Sequence, residues 1–418
     1  MSLLTIKNIL LDGEISDICI EGNTILKIGK NLPERGKIIH GAGKAAIAGF
    51  VNCHTHAAMT LFRGFGDDLP LNTWLEQKIW PNEARLNKEY VYWGSKLACL
   101  EMIKSGTTTF LDMYYYFSGI AQAVEEMGMR AIISSPVFDR FNPEYAKASK
   151  KQTEELFLKS KDYSDRIRFS VAPHAIYTVS ESTYRWCSEF SIKNNVLMQT
   201  HLAETKEEIH FSLEKYDMKP IKFLQKIGVL NPSVVAAHCL WLDDKDIAIL
   251  SENDVKVVHN PNSNLKLGSG YQFPYEELRN SGVTIGLGTD GCSSSNNLDM
   301  IEAMKTASLL QKAWRLEPTK LPATEILKTA TENGGIIAGQ RIGKIEEGYL
   351  ADIVLVDLSI PAFTPNHNFV SNLVYAANGS CIDTVICDGE IIMENKHVEG
   401  EEEIIFHANR VAKELFNY

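Results

Sequence analysis

The stretch AAIAGFVNCHTH, residues 45–56, carries the strongest structural signal in the chain. Its apolar residues 45–53 predict one buried β-strand. Alternate residues of a strand point to the same side, so His54 and His56 are expected to project together from the strand's carboxyl end. Two neighbouring imidazoles make half of a metal site, at the edge where open α/β sheets and α/β barrels carry their chemistry.

Seven further short apolar runs follow the Val51 region, and segments with helical periodicity separate them. The runs are 108–112, 131–136, 168–172, 196–200, 234–237, 255–258 and 284–288. Eight strand–helix units over roughly 300 residues predict an α/β protein with a (β/α)₈ TIM barrel and insertions.

Both ends of the chain instead alternate like short antiparallel strands, with turn signals at Asp12-Gly13 and Asp388-Gly389. We therefore predict a small β-sandwich domain that is built from both termini. The predicted boundaries are 1–48 and 346–400 for the β domain, 49–345 for the barrel and 401–418 for a C-terminal helix.

Composition excludes several functional classes. The 418-residue chain has a net charge of -11, which argues against binding the phosphate backbone of nucleic acid. We find no apolar run of the roughly 18 residues that a membrane span needs, and the first residues do not resemble a signal peptide. The eight cysteines are scattered without a CxxC pair, which is typical of reduced thiols. We therefore expect a cytoplasmic protein with neither nucleic-acid nor membrane partners.

Polar residues follow the predicted strands at their carboxyl ends. In chain order they are His54, His56, His174, His201, His238, His259 and Asp290. A single histidine at a strand end is more often structural, but successive strand ends meet at one rim of a barrel. A zinc or iron site needs imidazole nitrogens, a carboxylate and one position open for water. We predict that His54, His56, His201 and Asp290 supply this set.

Two residues near this set are candidates for catalysis. Glu204 follows His201 by three residues and could move protons for a metal-bound water, whose pKa falls from about 15.7 towards roughly 7. The alternative is a glutamate that only favours the dipole of the next helix. His238 is a candidate for polarising the water or stabilising the intermediate, or else a structural histidine. We expect His259 at most to support the others.

These motifs resemble the amidohydrolase-superfamily deaminases, and most closely the family of 5'-methylthioadenosine/S-adenosylhomocysteine deaminases. The resemblance spans essentially the whole chain and is sharpest in THLAET (200–205), AHC (237–239), HNPNSNLKL (259–267) and LGTDG (287–291). It implies that the four predicted ligands bind one divalent ion, with Zn²⁺ expected and Fe²⁺ as the alternative. The segment 172–174 reads APH, without the lysine that holds a second metal in other branches.

The resemblance also implies a reaction. A metal-bound hydroxide would convert an adenosine-type nucleoside to the inosine analogue and ammonia. The nucleoside would be 5'-methylthioadenosine, 5'-deoxyadenosine, adenosine or S-adenosylhomocysteine. Glu204 would carry a proton to the ring nitrogen, and His238 and Asp290 would assist attack and ammonia release. The small-molecule nucleoside is the expected partner, and a homo-oligomer is suggested by the resemblance alone.

The resemblance also implies which residues contact the substrate. WPNE at 80–83 matches a family motif whose glutamate binds the ribose hydroxyls, which assigns that role to Glu83. His174 matches a contact to the base edge or the ribose, and Trp74 is a candidate wall of the adenine pocket. The family arginine that binds the homocysteine carboxylate is absent from ISSP at 133–136. Arg140 either replaces it or is a solvated loop residue, so neutral 5'-substituents are favoured.

Alternative functions remain at this point. One is deamination of another ring such as guanine, and another is dechlorination of a triazine. Glu83 favours a nucleoside over a free base, and Glu204 favours deamination. The non-enzymatic alternative is a silent nucleoside-binding barrel with a structural metal. A structural zinc site is closed by four protein ligands and would not require Glu204 and His238 beside it.

Overall fold

The computed structural model describes residues 2–69 and 71–417 of the chain. The strands in this part of the chain are β1 (Leu3–Leu11), β2 (Glu14–Glu21), β3 (Thr24–Gly29), β4 (Lys37–His40), β5 (Lys44–Ala48), β6 (Phe50–Thr55), β7 (Thr107–Met113), β8 (Arg130–Ser134), β9 (Pro136–Val137), β10 (Ile167–Pro173), β11 (Leu197–Leu202), β12 (Val234–His238), β13 (Lys256–His259), β14 (Ile285–Leu287), β15 (Ile353–Asp357), β16 (Ile382–Cys387) and β17 (Glu390–Met393).

The α-helices are α1 (Leu71–Trp74), α2 (Trp80–Glu83), α3 (Lys88–Lys104), α4 (Phe117–Met127), α5 (Pro143–Ser160), α6 (Glu181–Asn194), α7 (Lys206–Tyr216), α8 (Pro220–Lys226), α9 (Asp244–Glu252), α10 (Pro261–Lys266), α11 (Tyr275–Asn280), α12 (Cys292–Ser295), α13 (Met300–Arg315), α14 (Ala323–Ala330), α15 (Glu332–Ala338), α16 (Phe369–Tyr375) and α17 (Glu401–Phe416). Short 3₁₀ turns occur at Ala57–Phe62, Pro361–Phe363 and Gly379–Cys381, and a π-helical turn at Leu75–Ile79. None of the described helices is long and apolar enough to cross a bilayer.

The predicted barrel is confirmed. Eight parallel strands run side by side in the order β6, β7, β8, β10, β11, β12, β13 and β14, and each contains or overlaps one of the eight predicted runs. The ring closes between β14 and β6, where the Asp290 amide donates to the His54 carbonyl at 3.0 Å. Beside it, the Asn52 side chain donates to Thr289 Oγ1 at 2.7 Å. The first and last strands are therefore joined at the rim that carries the polar residues.

A second sheet takes strands from both termini, as predicted. Its order is β17-β16-β15-β5-β1-β2-β3, with β4 paired to β1, and most of its pairs are antiparallel. Its core is mainly isoleucine: Leu4, Ile6, Ile9, Ile18, Ile20, Ile25, Ile39, Ala46, Ala351, Ile353, Leu355 and Ile386. β-Branched side chains of this kind pack well on a pleated, half-buried surface. The domain boundaries given above remain our proposal.

The interpretation of residues 45–53 as one strand is wrong. The stretch divides at Gly49 into β5, which pairs antiparallel with β15, and β6, which pairs parallel with β7. A Cβ atom at Gly49 would lie 2.3 Å from Thr108 Oγ1, so the chain passes between the two sheets only because this residue has no side chain. Apolar periodicity alone does not reveal such a change of sheet.

The backbone turns sharply where it leaves the strands at the polar rim. Ala203, His238 and Asp290 have φ values of 50°, 75° and 61°. Non-glycine residues adopt this left-handed region rarely, and such conformations concentrate at functional sites. The rim of the barrel thus combines buried polar residues with unfavourable backbone geometry.

The C-terminal helix packs against the barrel. In α17, His407 stacks on Trp93 of α3 with ring centres 4.2 Å apart. At the end of the same helix, Phe416 contacts Phe62 and Phe65, with ring centres 5.3 and 4.3 Å away. The helix therefore touches the segment that follows β6.

Candidate metal centre and active-site cavity

The predicted metal ligands meet at one point of the rim. His54 lies in β6 and His56 just after it, and their ring centres are 4.9 Å apart. His201 in β11 brings its Nε2 to 3.4 Å from His56 Nε2. Asp290, after β14, brings Oδ1 to 3.2 Å from His56 Nε2 and 3.6 Å from His54 Nε2. Side chains far apart in sequence thus gather their nitrogen and oxygen atoms around one centre.

Backbone carbonyls orient two of these rings. The Nδ1 atom of His56 lies 2.6 Å from the Met113 carbonyl oxygen, and Nδ1 of His201 lies 3.0 Å from the His174 carbonyl oxygen. Since a carbonyl only accepts, each Nδ1 carries the proton and donates it. The Nε2 atom of each ring then faces the centre of the cluster, as it does in histidines that bind metals.

The electrostatics of the cluster suit a cation. Burial holds the pKa of His54 and of His201 well below the usual value, which keeps both imidazoles neutral. Burial opposes ionisation of Asp290, but the hydrogen bond and charge of His56 outweigh it and hold the Asp290 pKa well below its usual range. Although burial disfavours its charge, His56 has a pKa raised to about 9 by Asp290, so metal binding would displace a proton from it.

The donor set fits a divalent metal ion. His54, His56 and Asp290 form one group of ligand atoms within 4.8 Å of one another, and His54, His201 and His238 form a second. His54 Nε2 is buried and has no hydrogen-bond partner among the described residues. Buried polar atoms are rarely left unpaired, so a cation at this point explains the orphan nitrogen.

The second oxygen of Asp290 is held separately. Ser263 Oγ and Ser294 Oγ donate to Asp290 Oδ2 at 2.5 and 2.8 Å. This leaves Oδ1 directed at the histidines. Hydrogen bonds of this kind orient a carboxylate ligand before a metal arrives.

Glu204 and His238 lie beside the cluster. His238 Nε2 is 3.8 Å from Glu204 Oε2, and Ser269 Oγ donates to Glu204 Oε1 at 3.3 Å. His238 Nδ1 lies 2.8 Å from Asn264 Oδ1. Burial raises the pKa of Glu204 above its usual value, which brings the carboxyl closer to the range in which it can both take and release a proton.

A cavity opens over the cluster. Its lining residues are His56, Met59, Trp74, Leu75, Ile79, Trp80, Glu83, Met113, Tyr114, Tyr115, Pro136, Phe138, His174, Tyr177, His201, Glu204, His238, Leu267, Asp290 and Ser294. The predicted substrate residues Trp74, Glu83 and His174 therefore share one space with Glu204. Burial raises the pKa of Glu83 to about 7.

Two other predicted positions lie outside this lining. Arg140 is exposed, and its guanidinium carbon is 5.9 Å from the ring centre of Trp80, which does line the cavity. His259 stacks on Phe273 with ring centres 4.0 Å apart.

Sequence reasoning missed several residues of the site. Tyr114 and Tyr115 directly follow β7, so a search of that strand end would have found them. Ser263 and Asn264 belong to the motif at 259–267, in which only His259 is assigned a role from the sequence. They lie in α10, where their side chains hold Asp290 and His238.

An α/β barrel whose strand ends gather histidines and an aspartate around a buried centre is the architecture of metal-dependent hydrolases. The sequence model of the amidohydrolase family matches residues 45–392. The chain belongs to the amidohydrolase family.

Its similarity to known proteins extends over almost the whole chain. It is 48% identical over 381 residues to the 5'-deoxyadenosine deaminase of Methanospirillum hungatei, which covers 91% of this chain and 85% of that protein. It is 46% identical over 399 residues to 5-methylthioadenosine/S-adenosylhomocysteine deaminase 1 of Archaeoglobus fulgidus, covering 95% and 94%. A solved adenosine deaminase from Xanthomonas campestris, with bound zinc, superposes with a TM-score of 0.95 at 30% identity, covering 100% and 99%.

Proposed function

We propose that the protein is a metal-dependent hydrolase that deaminates adenosine-type nucleosides, yielding the inosine analogue and ammonia. The observation that carries the proposal is the position of Glu204, whose buried carboxyl stands next to His238 at the edge of the histidine cluster. The same cavity contains Glu83, an acceptor suited to ribose hydroxyls. The deaminase names of the relatives in Methanospirillum and Archaeoglobus support the assignment.

His54, His56, His201 and Asp290 are the proposed ligands, and we expect one Zn²⁺ per chain. The zinc in the Xanthomonas structure supports this ion. When bound, a divalent cation supplies a water whose pKa is lowered towards about 7, and hence a nucleophile at neutral pH. No lysine stands at 172–174 to hold a second ion.

The residues around the cluster have separate roles in the reaction. Glu204 accepts the proton of the attacking water and returns it to the ring nitrogen beside the carbon that bears the amino group. His238 stabilises the charge that develops on the incoming oxygen, while Asn264 keeps its ring in place. Asp290 assists as the carbon–nitrogen bond breaks and ammonia leaves.

Glu83 determines where the sugar lies. As a carboxylate it accepts hydrogen bonds from the two ribose hydroxyls. Such charge-assisted hydrogen bonds are stronger than those between neutral groups. Trp74 and His174 line the same space and contact the base or sugar. A free base such as guanine, or a triazine, offers no hydroxyls to Glu83, so nucleosides are preferred.

The 5'-substituent is proposed to be neutral. Pro136 and Phe138 form the wall at the end of the third barrel strand, where a carboxylate-binding arginine would stand. Arg140 lies outside the lining, over Trp80. We therefore place 5'-deoxyadenosine and 5'-methylthioadenosine ahead of S-adenosylhomocysteine.

The cytoplasmic location, the partners and the oligomeric state are also part of the proposal. All eight cysteines are buried and unpaired, which agrees with a reducing cytoplasm. We expect no nucleic-acid or membrane partner, and a homo-oligomer whose size light scattering would measure.

The test is ammonia release from the metal-loaded protein. We expect turnover of 5'-deoxyadenosine, 5'-methylthioadenosine and adenosine, weaker turnover of S-adenosylhomocysteine and none of guanine or a chlorotriazine. The Glu204→Gln variant should lose at least about 10²-fold in kcat while retaining its metal, because a general acid–base residue contributes roughly 10²–10⁴-fold. Full turnover by this variant, or inertness of the wild-type protein towards every adenosine, contradicts the proposal.

A further inference from the structure

We propose that Glu208 is a positioning residue for the reaction, because its carboxylate holds the turn that directs Glu204 into the cavity. The inference rests on the function proposed for Glu204. Glu208 Oε1 accepts the amide N–H of Ala203 at 2.8 Å, and Oε2 accepts that of Glu204 at 3.0 Å. The residue is 2% exposed, and the structure shows no ion pair between it and any lysine or arginine in residues 2–69 and 71–417.

The turn that Glu208 holds is unfavourable by itself. Ala203 has a φ of 50°, in the left-handed region that a residue with a side chain occupies at a cost. The Ala203 carbonyl accepts two amides from the loop after β12, those of Leu240 and Trp241, both at 3.0 Å. The peptide units around Ala203 are thus held from one side by Glu208 and from the other by the neighbouring strand's loop.

An ordinary helix cap does not explain these contacts. Glu208 is the third residue of α7, and its N-cap Thr205 accepts the Glu208 amide at 3.2 Å. In a capping box the third residue reaches back to the amide of the N-cap itself. α9 shows that arrangement, since Asp246 Oδ2 accepts the amide of its N-cap Asp243 at 3.0 Å. Glu208 instead bonds to the two residues before its N-cap, one of which is the proposed proton carrier.

The consequence for catalysis is specific. Without the two charge-assisted hydrogen bonds, Ala203 is free to relax towards ordinary backbone angles, and the Glu204 carboxyl moves away from His238 and Ser269. Glu83 is attached elsewhere, and His201, although close in sequence, lies inside β11, where its amide and its ring are both held by the His174 carbonyl at 2.9 and 3.0 Å, so the metal ligands keep their places. The loss therefore falls on kcat, with little change in KM or metal content.

Glu208→Gln is the decisive variant because it preserves size. The carbonyl of the glutamine side chain still accepts one of the two backbone N–H groups of Ala203 and Glu204. Its NH₂ group faces the other N–H and cannot accept from it. We expect kcat for 5'-deoxyadenosine to fall about 10- to 100-fold, the equivalent of one hydrogen bond to a charged group, with KM within about twofold and a full metal content. Asp246→Asn is the matched control, a buried third-position acid outside the cavity lining, and its kcat should stay within about twofold of wild type.

A double-mutant cycle separates positioning from general stabilisation. In the Glu204→Gln background, Glu208→Gln should cause no further loss of kcat, because it acts through Glu204. A further loss as large as in the wild-type background overturns the inference, and so does a wild-type kcat for Glu208→Gln or an equal loss in the Asp246→Asn control. If Glu204→Gln is fully active, the proposed function is contradicted. If Glu204→Gln is impaired but Glu208→Gln keeps the wild-type kcat, only the present inference is contradicted.

Discussion

The two walls of the cavity are built by different means. On the metal side, the side chains are attached to barrel strands or to the residues just after them, and backbone carbonyls such as those of Met113 and His174 orient them. The facing wall comes from the segment between β6 and α3, in which α1 and α2 are only four residues long. The barrel sheet thus positions the metal-binding and catalytic residues, while a separate segment contributes Trp74 and Glu83 to contact the substrate.

Side chains from distant elements hold the segment between β6 and α3, the covering segment, in place. Lys266 Nζ donates to Asp67 Oδ1 at 2.6 Å, and Arg63 pairs with Glu101 of α3. Arg85 Nη2 donates to Asn417 Oδ1 at 3.0 Å just after α17. Because the chemistry and the substrate contacts come from different parts of the chain, changes on the metal side should abolish turnover, whereas changes in the covering segment should alter KM.

The largest effect is expected on the metal side. His54→Ala removes a central ligand, so the variant should bind less than one metal per chain and lose at least about 10³-fold in kcat. Elemental analysis and ammonia release measure the two quantities. His367→Ala, an exposed histidine away from the cluster, is the control. Wild-type metal content in the His54 variant would remove it from the ligand set.

A smaller effect of a different kind is expected at Glu83. Glu83→Gln should raise KM for 5'-deoxyadenosine about 10- to 100-fold, because it replaces charge-assisted hydrogen bonds to the ribose with neutral ones. Metal content should be unchanged. Steady-state kinetics test this, and an unchanged KM together with a lower kcat would assign Glu83 to the chemistry instead of the sugar.

The anchors of the covering segment should matter less. Phe416→Ala removes the aromatic contacts with Phe62 and Phe65, which are worth about 0.5–1.5 kcal/mol beyond area burial, so KM should rise roughly two- to tenfold. Phe406→Ala is the matched control, since this ring on the same helix is 66% exposed. Equal KM values for the two variants would show that α17 does not hold the segment.

The smallest effect is expected for Arg140→Ala. Because the side chain is exposed and outside the cavity lining, kcat/KM should stay within about threefold of wild type for both 5'-deoxyadenosine and S-adenosylhomocysteine. A loss confined to S-adenosylhomocysteine would show that Arg140 binds its carboxylate. Parallel measurements on the two nucleosides distinguish the outcomes.

Strand positions could be predicted because each barrel strand is an apolar run with a polar residue at its end. The support of the site was harder to predict. The serines that hold Asp290, Ser263 and Ser294, lie in short helices of turn-forming residues, and such residues occur in many loops. The division at Gly49 was missed for a related reason, since neighbouring apolar residues look alike whichever sheet they join.

The alternation of strands and helices, and the order of the polar residues at their ends, could be predicted without a structure, because periodicity and side-chain chemistry are local properties. Which of those residues meet could not be predicted in this way and is seen in the folded chain. His54, His56, His201, His238 and Asp290 converge, whereas His259 stacks on Phe273. Convergence depends on how the barrel closes and how the backbone turns at Ala203, His238 and Asp290, and long-range packing sets both.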